Sequence, residues 1–455
     1  MIFDLHNSTF SIYFLTQNSS YSLDIKNDSK EAFEFFMEIV SIFCDIKENQ
    51  IYLEPILEMD KDIKKKCIDF CSKYIEKNPQ LHKFKKNISE INIGEYIFFN
   101  IMKTEYNTEE ILFFSNLLKV HNIEKDDNKR AELFQNMINM DNEIFGDILK
   151  EYDIKVFDTS IKRNIGKSKK EDRVCRFCKN SSNTTKKATF KLKAHAISEA
   201  LGNKQLVLNE ECDECNARFG SSIEKDFIQY LDIFRVFYGV KGKNGIPTIK
   251  FKDDSILKNV EEKDIPKNDF ITTKNLPVII TRNMNVDKEN GNFNLTLKSN
   301  HKIKTVNIYK TLCKYILSLI ADKELENLED TIKWIDDENS KKIELPKVAF
   351  LINNSHYVDT PFISIYIRKN NDNIEVPHIV GEFKFKSLIY VFILPFSKKD
   401  KKDFSKVENY NYFFNFFKHY SQHKDWISNN FSCIDSKEFQ FNINFENINN
   451  QELNK

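Results

Sequence analysis

The sequence predicts an α+β protein in three parts, an α-rich N-terminal domain (1–160), a short cysteine-rich module (161–245) and an α+β C-terminal domain (246–455). Apolar residues recur every three or four positions through most of the first part, which favours amphipathic helices. In much of the last part they alternate with polar residues, which favours antiparallel strands. Six of the ten glycines fall between 166 and 245, so tight turns are concentrated in the middle part.

The N-terminal part begins with an alternating stretch from Phe10 to Leu23 that predicts a β-hairpin. Ser29 precedes the first helical pattern, where a serine side chain can cap the helix. Four helices are predicted in this part: Glu31–Ile46, Lys61–Lys77, Thr108–Val120 and Asn128–Tyr152. We therefore expect helices to dominate this domain.

The C-terminal part mixes both periodicities. Its predicted helices are Val306–Ile320, Leu328–Ile335 and Asn411–Trp426, and its predicted strands are Lys347–Asn353, Pro361–Arg368, Glu375–Phe385, Ser387–Phe396 and Phe439–Phe445. Antiparallel strands followed by helices, without a regular βαβ order, are typical of the α+β class. No motif in this part or in the N-terminal part indicates a function.

The composition is that of a globular protein, with 41% hydrophobic and 30% charged residues, which excludes collagen-like and wholly disordered classes. Lys plus Arg and Asp plus Glu both total 68, so the net charge alone does not favour a nucleic-acid partner. No apolar run approaches the ~20 residues that a membrane-spanning helix needs. The first residues lack the pattern of a signal peptide. We expect a cytoplasmic protein with no membrane partner, and the sequence leaves the oligomeric state open.

The nine cysteines carry the most specific signal in the sequence. An odd number without an export signal favours a reducing compartment over a disulfide framework. Four of them form two C-x-x-C pairs, Cys175 with Cys178 and Cys212 with Cys215. Two such pairs are typical of a tetrahedral Cys₄ zinc site, which fixes a segment too small to bury a core of its own. The alternatives are free buried cysteines and a redox dithiol.

His195 lies midway between the two pairs, 17 positions after Cys178 and 17 before Cys212. The segment around it predicts a strand over Thr189–Ala194, a loop through Gly202, a second strand over Gln205–Leu208 and a helix over Cys215–Phe237.

This segment resembles the HNH endonuclease family, whose ββα-metal motif lies between zinc-binding C-x-x-C pairs in many members. Three pieces carry the resemblance in order and spacing: C-x-x-C from Cys175, HAISEALGN from His195, and CDECNARFG from Cys212. The resemblance implies that the central module is a ββα-metal HNH module with a Cys₄ zinc site. The flanking domains lie outside it and would select the target or restrain the activity.

The resemblance also implies a mechanism and a set of roles. His195 would be the general base that activates water, and Asn209 best matches the asparagine that orients the histidine. Asn216 occupies the position of the last ligand of a catalytic Mg²⁺ or Mn²⁺ ion, which would bind the scissile phosphate and the leaving oxygen. The alternative for Asn216 is a helix cap, a position that asparagine favours. The substrate would be DNA, cut to give 5′-phosphate and 3′-hydroxyl ends.

The sequence departs from the family pattern at two positions. Ala194 stands where many members have an acidic metal ligand before the histidine, and Ser198 stands where proline is common. Glu224 lies eight residues after Asn216, roughly 12 Å along one helix, so it cannot share an ion with Asn216 from that helix. We expect Glu224 to support the site indirectly or to cap a helix.

A basic stretch precedes the histidine. From Lys162 to His195 there are twelve Lys and Arg residues against Glu171 and Asp172, and residues 161–173 are predicted to be an exposed linker. Such a stretch can bind phosphates without reading sequence, and the alternative is a solvated linker.

The sequence therefore predicts a DNA-cutting HNH endonuclease with structural zinc and catalytic Mg²⁺ or Mn²⁺. One context for such an enzyme is bacterial defence against foreign DNA, which no residue indicates. A non-catalytic zinc module that binds nucleic acid or protein is the alternative function, and RNA is the alternative substrate.

Overall fold

The computed structural model describes residues 9–16, 20–26, 29–47, 50–102, 106, 108–160, 162–184, 187–261, 275–281, 285–287, 292–337, 343–369, 373–416 and 426–445. The chain forms two compact units, Met1–Lys150 and Glu151–Lys455. Both helices and strands are abundant, so the prediction of a mixed α and β protein is confirmed. None of the helices in the described ranges is long and apolar enough to cross a membrane.

The first unit combines a sheet with helices. Its strands are β1 (Thr9–Leu15), β2 (Ser20–Lys26), β3 (Asp45–Lys47), β4 (Gln50–Tyr52), β5 (Ile56–Glu58) and β6 (Tyr96–Met102). Its helices are α1 (Lys30–Phe43), α2 (Lys61–Tyr74), α3 (Leu81–Glu90), α4 (Thr108–Ile123) and α5 (Asp127–Glu151). The predicted hairpin is confirmed as β1 and β2, and Ser29 caps α1 by accepting the Ala32 N–H. The four predicted helices are also present.

The sequence underestimated the strands of this unit. A four-stranded antiparallel sheet in the order β2-β1-β6-β5 lies against a core rich in phenylalanine. The ring centroids of Phe43, Phe84 and Phe99 lie 4.7 to 5.0 Å from that of Phe14 on β1. The ring centroids of Phe43 and Phe99 lie 4.5 Å from each other. The description of this part as α-rich is therefore incomplete, because β6 and its pairing partner β5 were not recognised.

The second unit contains the remaining elements. Its strands are β7 (Tyr152–Asp158), β8 (Arg163–Ile165), β9 (Leu206–Leu208), β10 (Ile249–Lys250), β11 (Ile256–Glu261), β12 (Asn275–Ile280), β13 (Asn285–Asp287), β14 (Asn292–Lys304), β15 (Val348–Ile352), β16 (Phe362–Arg368), β17 (Ile379–Phe385), β18 (Leu388–Ile393), β19 (Ile427–Asn429) and β20 (Ser436–Phe445). Its helices are α6 (Asp213–Ser221), α7 (Ile223–Phe237), α8 (Thr305–Leu319), α9 (Asp322–Leu325), α10 (Glu329–Asp336) and α11 (Val407–Phe414).

A six-stranded antiparallel sheet dominates this unit, in the order β19-β15-β18-β17-β16-β7. Helix α8 packs against α7, α10 and β17, and every residue from Ile308 to Leu319 is buried. A helix that is buried on all sides belongs to the centre of a core. One hydrophobic core joins the cysteine-rich segment to α8 and to the large sheet. The predicted modules 161–245 and 246–455 thus lie within one compact unit, which begins at Glu151.

Four local predictions in this unit differ from the structure. Residues 189–194 do not form a strand, because Asp213 accepts the backbone N–H groups of Lys191 and Leu192 and holds the segment as a loop. The predicted helix over Cys215–Phe237 is two helices, α6 and α7, broken at Ser222, whose N–H and hydroxyl both donate to Arg218 O.

The predicted linker and the last predicted helix also differ from the structure. Within residues 161–173, β8 pairs in parallel with β9, so part of the linker belongs to the fold. In place of a helix over Asn411–Trp426, the structure has α11, and residues 417–425 of that prediction lie outside the described residues.

Candidate functional site

The four cysteines of the two C-x-x-C pairs converge on one point. Their Sγ atoms all lie within 4.8 Å of one another, and the Sγ atoms of Cys178 and Cys212 are 3.7 Å apart. Four sulfurs at the zinc–sulfur distance of ~2.3 Å would be about 3.8 Å apart at the corners of a tetrahedron. The structure therefore brings together the residues predicted as zinc ligands, in a cluster that could hold a zinc ion.

The backbone shapes each pair for this purpose. After Cys175 the chain turns tightly, with the Lys179 N–H donating to Cys175 O at 3.0 Å and Lys179 at a φ of 60°. The second pair lies at the start of α6, where the Cys212 N–H is 3.5 Å from Cys175 Sγ. A backbone N–H that points at sulfur stabilises the thiolate that a metal requires.

His195 lies on a short two-stranded hairpin that leads into α6. It forms an antiparallel bridge with Val207, and the N–H of the next residue, Ala196, donates to Leu206 O at 3.1 Å. Residues 195–196, strand β9 and helix α6 thus follow one another in β–β–α order. The hairpin holds the histidine beside the segment that carries the second cysteine pair.

The His195 ring is mostly buried, with its side chain 14% exposed. Its Nε2 is 3.7 Å from Glu199 Oε2, and its Nδ1 is buried without a hydrogen-bond partner among the described atoms. Burial lowers the pKa of His195 below its usual value, and the nearby Lys193 and Lys314 charges lower it further against the opposing effect of Glu199 and Glu224. The imidazole is therefore neutral at neutral pH and able to accept a proton.

Asn203 holds the loop between the two strands of the hairpin. It is fully buried, and its Nδ2 donates to Ile197 O at 2.7 Å and to Leu206 O at 2.9 Å. Its Oδ1 accepts the backbone N–H groups of Gln205 and Leu206. This residue was not predicted from the sequence. Its position between Gly202 and the second predicted strand, where a polar residue commonly fixes a turn, was the available signal.

The two asparagines predicted as site residues have less distinctive surroundings. Asn209 gives its backbone N–H to Ile165 O at 2.8 Å, just after β9. Asn216 is half-buried in the first turn of α6, and its N–H donates to Cys212 O at 2.9 Å. Because α6 begins at Asp213, Asn216 lies inside the helix and is not its N-cap. The catalytic role of Asn209 and the metal-binding role of Asn216 remain predictions.

The positions that depart from the family pattern are both buried. Ala194 is 2% exposed, and its methyl group offers no ligand atom before His195. Ser198 donates a short hydrogen bond to Glu224 Oε2, and its Oγ lies 2.6 Å from the Tyr315 hydroxyl. Glu224 therefore belongs to a buried polar network behind the hairpin.

Within the described part of the chain, the cysteine cluster is the one group of three or more His, Cys, Asp or Glu side chains close enough to share an ion. Near His195, the Glu199 carboxylate is a donor that could take part in binding a divalent ion. Carboxylate and amide oxygens fit such an ion, with phosphate and water completing its shell.

Exposed lysines cover the outside of this segment. Those of the basic stretch are Lys162, Lys167, Lys169, Lys170, Lys179, Lys187, Lys191 and Lys193. Lys186 of the same stretch lies outside the described residues. Arg176 cannot contribute to a surface, because it is buried and paired with Glu210 at 3.1 Å. The positive stretch is thus a surface of lysines and Arg163, whereas Arg176 is buried.

Comparison with known families agrees with this geometry. Residues 175–232 match the model of the HNH endonuclease family. The resemblance inferred from the cysteine pairs and the histidine segment is therefore confirmed for residues 175–232, the HNH segment. At the level of class, the match indicates a nuclease that acts on nucleic acid and binds metal. No curated protein and no solved structure matches the chain.

Proposed function

We propose that this protein is a metal-dependent HNH endonuclease that hydrolyses DNA phosphodiester bonds. The observation that carries the proposal is a β–β–α unit within the family match that carries His195 and the second cysteine pair of the four-cysteine cluster. Zinc in the cluster would be structural, because four cysteines fill a tetrahedral shell and leave no position for substrate.

His195 is the general base of the proposed reaction. Its lowered pKa keeps the imidazole neutral, so that it can take a proton from the attacking water. The Glu199 carboxylate, 3.7 Å from Nε2, would stabilise the imidazolium that forms.

A Mg²⁺ or Mn²⁺ ion would stabilise charge on the phosphate and on the leaving oxygen. Asn216 is the proposed protein ligand of this ion, and Ala194 offers no second one. Replacing Asn216 with Ala should therefore raise the Mg²⁺ concentration that gives half-maximal cleavage, while zinc content stays the same. Measuring the cleavage rate over a range of Mg²⁺ concentrations gives this shift. An unchanged midpoint would show that Asn216 does not bind the ion.

The decisive experiment is cleavage of supercoiled plasmid with Mg²⁺, with Mn²⁺ and with EDTA. The His195→Ala variant should cleave roughly 10²–10⁴ times more slowly than wild type, the usual contribution of a positioned general base. The matched control is His82→Ala, which removes an exposed histidine from α3 in the other unit and should cleave at the wild-type rate.

Equal rates for His195→Ala and wild type, in preparations free of contaminating nuclease, would refute the catalytic assignment. Binding of DNA without cleavage under any metal condition would support the alternative, a non-catalytic zinc module. Competition between plasmid and RNA decides the substrate.

A further inference from the structure

A buried ionic cluster ties the HNH segment to α8, a helix outside the family match. The Nζ atom of Lys314 on α8 is 2.8 Å from Glu224 Oε1 and 3.0 Å from Glu211 Oε2. The side chains of Lys314 and Glu211 have no exposed surface, and that of Glu224 is 11% exposed. Charges buried this deeply are strongly disfavoured without a partner, so each member of the cluster depends on the others.

This cluster reaches both parts of the site. Glu211 directly precedes Cys212, the first cysteine of the second pair. Glu224 accepts the Ser198 hydroxyl, and the same hydroxyl lies 2.6 Å from the hydroxyl of Tyr315, the neighbour of Lys314 on α8. Ser198 is three residues after His195, so α8 holds the loop that leaves the histidine.

The end of α8 contacts the first cysteine pair as well. Arg176, between Cys175 and Cys178, donates from Nη1 to the carbonyl oxygens of Leu317 at 3.2 Å and Ile320 at 2.7 Å. The last carbonyls of a helix have no partner within it, and a guanidinium satisfies them well. Residues 314–320 therefore contact a neighbour of each cysteine pair, Arg176 and Glu211, and also Ser198 in the loop that follows the histidine.

We propose that α8 is an integral part of the nuclease site and that Lys314 is a positioning residue for His195. The ammonium group keeps Glu224 in place to accept the Ser198 hydrogen bond, and it keeps Glu211 beside Glu224 in spite of their like charge. Without it, the two carboxylates repel each other and the loop from His195 to Asn203 loses its support. The inference rests on the proposed function, because it holds that the ordered loop positions His195 as the general base.

The test compares Lys314→Met with Lys310→Met. Methionine keeps most of the length of lysine and removes its charge. Lys310 is a matched control, since it is also buried on α8 but donates to Asp337 O at 2.6 Å, outside the family match. The measurements are kcat and KM on plasmid DNA, zinc content, and amide hydrogen exchange at Ala196 and Leu206 on the hairpin.

Lys314→Met should lower kcat by roughly 10- to 100-fold, the usual cost of losing a residue that supports a catalytic group, with KM and zinc content unchanged. Exchange at Ala196 and Leu206 should become faster in Lys314→Met and stay as in wild type in Lys310→Met. A folded Lys314→Met protein with wild-type kcat and wild-type exchange would overturn the inference. So would equal losses of kcat in the two variants.

Two further arms keep the test decisive. If Lys314→Met does not fold, Tyr315→Phe removes only the hydroxyl that faces Ser198, and it should lower kcat and speed exchange at Ala196, whereas no change in either overturns the inference. If wild type itself does not cleave, the proposed function fails, and the exchange measurements alone decide the role of Lys314.

Discussion

The thiols of the cysteine cluster shift one another's pKa. Contacts with Cys175 and Cys215 lower the pKa of Cys212, whereas contact with Cys212 raises the pKa of Cys175, and contacts with Cys175 and Cys212 raise that of Cys215. A divalent cation that binds thiolates would displace the protons that these sulfurs share.

Replacing Cys212 with Ser should abolish zinc binding and unfold the HNH segment, because a bound zinc would join its two cysteine pairs. Elemental analysis should find about one zinc per wild-type chain and none in the variant. Cys433→Ser, which changes a half-buried cysteine outside the cluster, is the control and should keep its zinc. Full zinc content in Cys212→Ser would contradict the assignment.

Single residues of the site differ in how well the sequence predicted them. The cysteines and His195 are found by spacing, since metal ligands and the hairpin constrain chain distances. Asn203 and Glu199 were missed because their roles depend on the path of one loop, which spacing does not specify. Lys314 is 102 residues from Cys212, and no local pattern marks a lysine that will be buried among carboxylates.

At the scale of elements, the loop before His195 shows how one side chain overrides a strand pattern. Asp213, at the start of α6, accepts hydrogen bonds from the Thr189 hydroxyl at 2.6 Å and from the N–H groups of Lys191 and Leu192. In a β-strand, those N–H groups would instead have donated to the carbonyl oxygens of a neighbouring strand. Helix α8 and strand β16 were predicted close to their bounds, but the long strand β14 was missed. The short segment before His195 was decided by a partner 21 to 24 residues away.

The same loop presents lysines to solvent, so salt should weaken DNA binding steeply. Neutralising Lys187, Lys191 and Lys193 with Gln should reduce the slope of log affinity against log salt by up to ~0.9 for each lost phosphate contact. Fluorescence anisotropy with a labelled duplex over a range of salt concentrations measures the slope.

The control for this prediction removes the same charge elsewhere. Lys61, Lys65 and Lys77 are exposed lysines of the first unit, on α2 or just after it. Their replacement with Gln should leave the slope unchanged. Equal slopes in the two triple variants would show that the basic stretch is only a solvated surface.

At the scale of the whole molecule, the second unit is assembled from distant parts of the chain. Strand β7 pairs with β16 at the edge of the large sheet, and Tyr152 on β7 lies opposite Arg368. The sequence predicted β16, β17 and β18 separately, since alternation marks a strand. It could not predict that β7 completes their sheet or that the HNH segment shares their core, because pairing between distant strands leaves no local pattern.

The stability of this unit should depend on pH through His378. The residue is fully buried, with Nδ1 2.7 Å from Ser397 Oγ and Nε2 3.1 Å from Glu324 Oε2. Burial, followed by the Lys399 charge, lowers the pKa of His378 to about 4. The folded protein keeps it neutral while the unfolded chain protonates it near pH 6.5, so its contribution is complete above pH 6.5 and is lost as the pH falls toward 4.

The free energy of unfolding lost in this way is about 3 kcal/mol, which corresponds to the lowering of the His378 pKa from 6.5 to about 4. It is measured as the difference in unfolding free energy between wild type and His378→Gln, from urea unfolding at pH 7.5 and at pH 4.5. The variant is needed as a reference because burial raises the pKa of the neighbouring Asp400 to about 7, which shifts stability with pH in the opposite direction. A difference that does not change with pH would show that the pKa of His378 is the same in the folded protein as in the unfolded chain.

The position of α8 in the chain has a consequence for protein synthesis. The second cysteine pair leaves the ribosome about a hundred residues before Lys314, which at ~5–20 residues per second is a delay of roughly 5–20 s. During that time a nascent chain has all four cysteines but lacks the helix that supports the histidine loop. Chains that are abandoned or cleaved before α8 would then have little cutting activity, which would protect the cell's own DNA from unfinished copies of the enzyme.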